Sequence, residues 1–161
     1  MKIDEDARKK MTYAPMSINE ALNLLPSVGG TMYVQAKIVV TNFKVPFVYD
    51  KCSKVMGNGK SCGRVVKHGV CGDKHVEDAV GSYRALTSFV TFMDAGAKEG
   101  RMMTAYILPH ALSTMMQTPV KQILDLSYGM QMTIAQEFTR SVFIAQFAVK
   151  AGFISIVKFT Q

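Results

Sequence analysis

The chain has 161 residues, of which 48% are apolar, enough for one domain with a sizeable core. Its formal net charge of +7 favours a polyanionic partner, nucleic acid or an acidic surface. No apolar run reaches the roughly 18–20 residues that span a bilayer, and no hydrophobic signal core follows the charged start MKIDEDARKK, so neither a membrane span nor a secretory signal is expected.

In chain order, residues 1–16 read as an N-terminal tail or arm, and 17–161 as a single domain. Ser17-Ile18-Asn19-Glu20 has the form of a capping box, and the apolar run Ala21 to Leu25 predicts a short helix ending at Pro26. In TMYVQAKIVVT, residues 31–41, Met32, Val34, Ala36, Ile38 and Val40 alternate onto one face, which predicts a strand. A segment rich in cysteine and histidine follows, an insert at about 50–76. SYRALTSFVTFMD, residues 82–94, predicts a second strand, and RMMTAYIL, residues 101–108, a third. The turn AGAKEG joins them as a hairpin. From Pro109 the apolar spacing becomes helical, with a break at Pro119 and an end at Gly129. QMTIAQEF, residues 131–138, fits no single template; SVFIAQFAVK and FISIVKFT predict the last two strands. The expected fold is therefore mainly β with helices: a five-stranded barrel of the oligonucleotide/oligosaccharide-binding plan, with a helix between strands three and four.

All three cysteines lie between Cys52 and Cys71, and His75 follows four residues later. An odd cysteine count with no export signal argues for reduced thiols rather than a disulfide framework. Cys52, Cys62, Cys71 and His75 would supply the four soft or borderline donors of a structural zinc site. The spacing is irregular: nine residues separate Cys52 from Cys62, where a ribbon usually has two. His68 is the rival fourth ligand. A catalytic zinc needs an open position, which four protein ligands would close. The H-x-E with P-C-x-x-C pattern of zinc deaminases is absent, as are the phosphate-loop, nucleophile-elbow and dinucleotide signatures. No enzyme activity is expected.

With these elements placed, nearly the whole chain, from about Ser17 to Phe159, resembles the C-terminal DNA-binding domain of the replication protein A large subunit. The resemblance is carried by SINEAL before the first strand, by VYDKC and GVCGDKH as the two zinc knuckles, and by the SYRALTSFVTFMD and RMMTAYILPHALSTMM segments. SVFIAQFAVKAGFISIVKFT matches the last two strands. His75 stands where that family has its last cysteine, the first knuckle is expanded, and the loop before the last strand is almost absent. Telomere-dedicated relatives, including those that accompany telomerase, share this architecture.

The resemblance implies a nuclear, reducing location, single-stranded DNA as partner, and further protein subunits of a larger complex. It implies aromatic stackers at the positions of Met102 and Tyr106, of which only Tyr106 keeps the ring. It places Phe153 near another stacker, Lys158 near a phosphate contact, and Lys150 and Arg101 beside the same cleft. The insert is itself basic: from Lys44 to His75 there are seven Lys or Arg against Asp50 and Asp73, and Lys60, Arg64 and Lys67 are its candidate phosphate contacts. Phe43, Phe47 and Tyr49 are expected to cover the join of insert and barrel, and Phe89, Phe92, Phe143 and Phe147 to be core. The rival function is a protein–protein assembly module that uses Met102, Met103, Met115, Met116, Met130 and Met132 as an adaptable contact surface.

Overall fold

The structure, a computed structural model, describes residues 12–97 and 100–160. The first eleven residues of the expected arm and Lys98-Glu99 of the expected turn lie outside the described residues.

The backbone of the fold is one long strand. After β1 (Ala14–Pro15) and α1 (Ile18–Val28), β2 (Met32–Phe43) pairs along its first part with the late strand β9 (Val142–Lys150). Its second part pairs with β7 (Ser88–Asp94). The two pairings overlap at Ile38 and Val39, and a register shift follows in the β7 pairing between Val40 and Asn42. The bulge also resets the alternation: Val34, Ala36, Ile38 and Val40 point inward, and the next inward residue is Phe43. β7 pairs antiparallel with β8 (Met103–Ile107), β8 pairs parallel with β10 (Phe153–Phe159), and β10 pairs antiparallel with β9. That circuit closes a five-stranded barrel. β1 adds a two-residue parallel pairing to the outside of β2, at Val34 and Gln35.

The core is filled from all five strands by Ile38, Phe92, Ile107, Phe147 and Ile156, all fully buried. Helix α1 buries Ile18, Ala21 and Leu25 against it. The first turn of α1 is completely satisfied. Asp94, buried at the end of β7, accepts from the backbone N–H groups of Ile18 at 2.8 Å and Asn19 at 3.0 Å. Ser17 Oγ accepts from Glu20 N–H, and Ala21 N–H opens the helical ladder on Ser17 O. A carboxylate from a distant strand thus takes the N–H groups of the first two helical residues, beside the Ser17 cap. The helix also runs through Pro26 and stops at Gly29, whose φ of 70° lets its N–H reach back to Leu25 O.

Three helices connect β8 to β9: α3 (Pro109–Met116), α4 (Val120–Ile123) and α5 (Tyr128–Phe138). The ambiguous stretch is helical, and it starts before the glycine expected to end the region. Ser127 caps Met130 N–H, so Gly129 lies in the first turn. Gln131 of α5 is buried and accepts from both Phe47 N–H (2.9 Å) and Val48 N–H (3.1 Å), tying the helix to the base of the insert.

The segment 82–94 is not one strand but two. β6 (Ser82–Leu86) leaves the barrel and pairs with β3 (Val48–Cys52) as the stem of the insert. Thr87 marks the break, its N–H donating to Phe47 O. Above the stem come the short hairpin β4 (Val66–Lys67) and β5 (Val70–Cys71), and the single turn α2 (Glu77–Val80). Among the described residues no helix is long and apolar enough to cross a membrane.

Candidate nucleic-acid interface and metal centre

The sulfurs of Cys52, Cys62 and Cys71 and a ring nitrogen of His75 all lie within 4.8 Å of one another. Nδ1 of His75 is 3.5 Å from Cys52 Sγ and 3.4 Å from Cys71 Sγ. A zinc ion with ordinary bond lengths sets tetrahedral S···N edges of about 3.6 Å and S···S edges of about 3.8 Å. The donor set and its spacing are therefore compatible with a metal site. The irregular spacing has a simple cause. Cys62 N–H donates to Lys54 O at 2.7 Å, Val55 bridges to Ser61, and Met56 N–H donates to Lys60 O. Residues 54–62 form a hairpin inside the knuckle, turned at Gly59 (φ 80°), and it returns Cys62 beside Cys52. Cys71 and His75 close a tighter loop, with Cys71 N–H donating to His75 O. His68 sits at the exposed tip of the β4–β5 hairpin at φ 54°, away from this cluster.

Crowding the thiols shows in their acidity. Burial pushes Cys71 up, but the backbone amides of His75 and Asp73 and the neighbouring Cys52 and Cys62 together bring it below its ordinary value. At Cys62 the Arg64 backbone amide pulls down, but desolvation and the two other thiols together raise it. Such a cluster favours sharing of charge, which a cation supplies.

On the barrel wall three rings stand in a row across three adjacent strands. Phe89 of β7 and Tyr106 of β8 are register partners with ring centroids 5.4 Å apart. Tyr106 is 6.2 Å from Phe153 of β10, with the planes inclined by 34°. Phe153 is 42% exposed, so this end of the row is open to solvent. A cation covers each end of the row: Lys44 Nζ lies 5.8 Å from the Phe89 centroid and Lys150 Nζ 5.7 Å from that of Phe153. Rings for bases with ammonium groups beside them suit a single strand, because every base offers a π-face and every linkage a phosphate.

The structure brings Tyr106, Phe153 and Lys150 together; the other candidates lie apart. Lys158 is exposed further along β10, beyond a register shift at its neighbour Val157, and is the register partner of Gln146. Met102 is exposed beside Thr41, with Arg101 next to it. Four residues of extended chain put Met102 about 13 Å from Tyr106 along the same strand direction. Lys60 is at the tip of the first hairpin, and Arg64 is held at 3.0 Å by Asp73. Lys67 is exposed on β4.

Phe89 and Lys44 are the residues that sequence reasoning missed. Phe89 was expected in the core with Phe92. Alternation along β7 buries Ser88, Val90, Phe92 and Asp94 and turns Phe89 to the other face. The signal was the odd separation between the two phenylalanines. Phe92 and Phe147 are core, while Phe143 packs at its margin against Phe138 and Phe159. Among the methionines of the rival reading, Met103 is buried and Met115 and Met116 pack against the core; Met102, Met130 and Met132 face solvent.

The chain matches no protein-family model and no curated protein. It does match solved structures. One, of a replication protein A heterotrimer bound to single-stranded DNA, has a TM-score of 0.58 at 13% identity. The match covers 92% of this chain but only 36% of that one. The other, of yeast replication protein A bound to single-stranded DNA, has a TM-score of 0.55 at 13% identity, over 94% of this chain and 90% of that one. The fold is the oligonucleotide/oligosaccharide-binding barrel. That likeness is one of architecture, and it agrees with the strand circuit described above.

Proposed function

We propose that this chain is a single-stranded DNA-binding domain of the replication protein A-like kind. The observation that carries the reading is the row Phe89–Tyr106–Phe153 with a lysine over each end. Bases stack on the rings, and Lys44 and Lys150 meet the phosphates on either side. Zinc, held by Cys52, Cys62, Cys71 and His75, supplies charge and a cross-link that makes the insert rigid; it takes no part in a reaction, and the domain is not an enzyme. The location is nuclear, the work is DNA replication and repair or telomere maintenance, and further protein subunits of a larger complex are partners. Support for that context comes from the solved structures of similar fold, which are of replication protein A on single-stranded DNA.

Titration with oligothymidylate tests the reading. Tyr106→Ala and Phe153→Ala should each weaken binding by about 5- to 150-fold, the effect of losing roughly 1–3 kcal/mol of stacking. The logarithm of the affinity should fall with that of the salt concentration with a slope of about −0.7 per phosphate neutralised. Affinity that ignores salt, or weak binding that neither substitution changes, would sink the reading and favour an assembly module.

A further inference from the structure

Lys44 belongs to more than the ring row. It also lines a cleft of about 680 Å³ between the insert stem, strand β4 and helix α5. The walls carry Lys44, Lys51, Lys67 and Arg84 against a single carboxylate, Asp50. Asp50 is already engaged at 3.8 Å by Arg84, which also donates to Leu126 O. Among the described residues Lys51 and Lys67 form no ion pair. Two rings face the same space, Tyr49 and Tyr128. Burial raises the Tyr49 pKa, so it meets a ligand as a neutral phenol.

A second cleft of about 360 Å³ is lined by Lys44 and Tyr128 again, with Met132 and Gln136 of α5. The two shared residues show that the clefts adjoin, as two parts of a trough beside the helix. Tyr128 stands at the junction and is 58% exposed. A trough with unpaired cations, an exposed ring and an acid already occupied is built for a polyanion that carries flat groups. An acidic peptide would satisfy the cations but leave the rings unused.

We propose that this trough is a second subsite for the same strand. The sugar–phosphate backbone passes from Phe89 over Lys44 and between Lys51 and Lys67, and a base stacks on Tyr128. The inference rests on the ring row being the nucleic-acid face. It explains why the insert, rather than only the barrel, holds so much of the chain's positive charge.

The test compares oligothymidylates of about 4 and about 12 nucleotides, within the range of site sizes for one such barrel. The intact chain is compared with Tyr128→Ala, with Lys51→Ala/Lys67→Ala, and with Phe153→Ala, thermal melting confirming that each variant folds. For the longer strand, Tyr128→Ala and the lysine pair should each weaken binding by about 5- to 30-fold. The lysine pair should also flatten the salt slope by about 1.4. The shorter strand should not notice either change, whereas Phe153→Ala should weaken both lengths. If the longer strand ignores Tyr128→Ala and the lysine pair while Phe153→Ala still acts, the trough is not a subsite and the ring row stands. If Phe153→Ala changes neither length, the ring-row reading has failed and takes this inference with it. A poly-glutamate peptide whose binding falls in the trough variants, while that of the longer strand does not, would make the occupant a protein and overturn the proposal.

Discussion

The barrel and its insert are held together by different physics. The barrel buries apolar side chains from every strand, and its strand pairings close the circuit β2–β7–β8–β10–β9. Between Cys52 and Gly81 the only buried residues are Cys52 and Cys71, two of the four candidate ligands. Val55, Met56, Val70 and Val76 are exposed there instead of packed together. The insert's paired strands above the stem are two residues long. A segment of that kind cannot offset its ordering entropy by burial, so its shape depends on a cross-link. The barrel would be expected to tolerate loss of any one contact; the insert depends on one point.

The largest test of that contrast is to remove the point. Structural zinc contributes on the order of 10 kcal/mol to small domains of this kind. Chelation, or Cys71→Ser, should abolish stoichiometric zinc in metal analysis. It should also speed hydrogen exchange of the insert's amides by at least about a thousandfold, while amides of β2, β7 and β9 stay protected. Insert amides that remain as protected without metal as those of β2 would show that the insert holds its own structure.

A middle-sized effect should come from the barrel side. Asp94 accepts from two backbone N–H groups at the start of α1 and from Asn19 Nδ2 at 2.8 Å. Asp94→Ala leaves those donors without a partner and removes a negative charge from a helix N-terminus. The expected cost is about 2–4 kcal/mol in denaturant unfolding of the barrel, with zinc content unchanged. Loss of zinc in this variant would show that the two regions are energetically one.

How far the chain could be read in advance follows the same division. The barrel strands were legible because alternation over many residues fixes which face is buried, as Val34 to Val40 illustrate. What alternation could not supply was the change of phase at the β2 bulge, or the departure of β6 from the barrel. Both depend on partners far away in sequence, Thr91 opposite Asn42 and Tyr49 opposite Ala85. The three cysteines were legible from residue type, because thiols have few other reasons to gather, whereas the sequence left His75 and His68 as rivals and the fold gathers His75 with the thiols. The hairpin that reconciles their spacing was not, since its signal is a pair of glycines around Asn58 that would equally suit an open loop. The ring row was half legible: Tyr106 and Phe153 came from resemblance, whereas Phe89 required fixing the phase of β7.

The smallest effect tests whether the barrel rests on packing alone. Ser88 faces inward on β7, fully buried opposite Ile107, and its hydroxyl has no hydrogen-bond partner among the described residues. Burying a hydroxyl without a partner costs roughly 1–3 kcal/mol, and an alanine of nearly the same shape removes that cost. Ser88→Ala should therefore stabilise the chain by about 1 kcal/mol, raising the melting temperature by about 2–4 °C. Binding to oligothymidylate should not change, because Ser88 points away from the ring of its neighbour Phe89. A loss of stability would mean that the hydroxyl is satisfied in solution, and that the barrel, like the insert, depends on a polar contact at its centre.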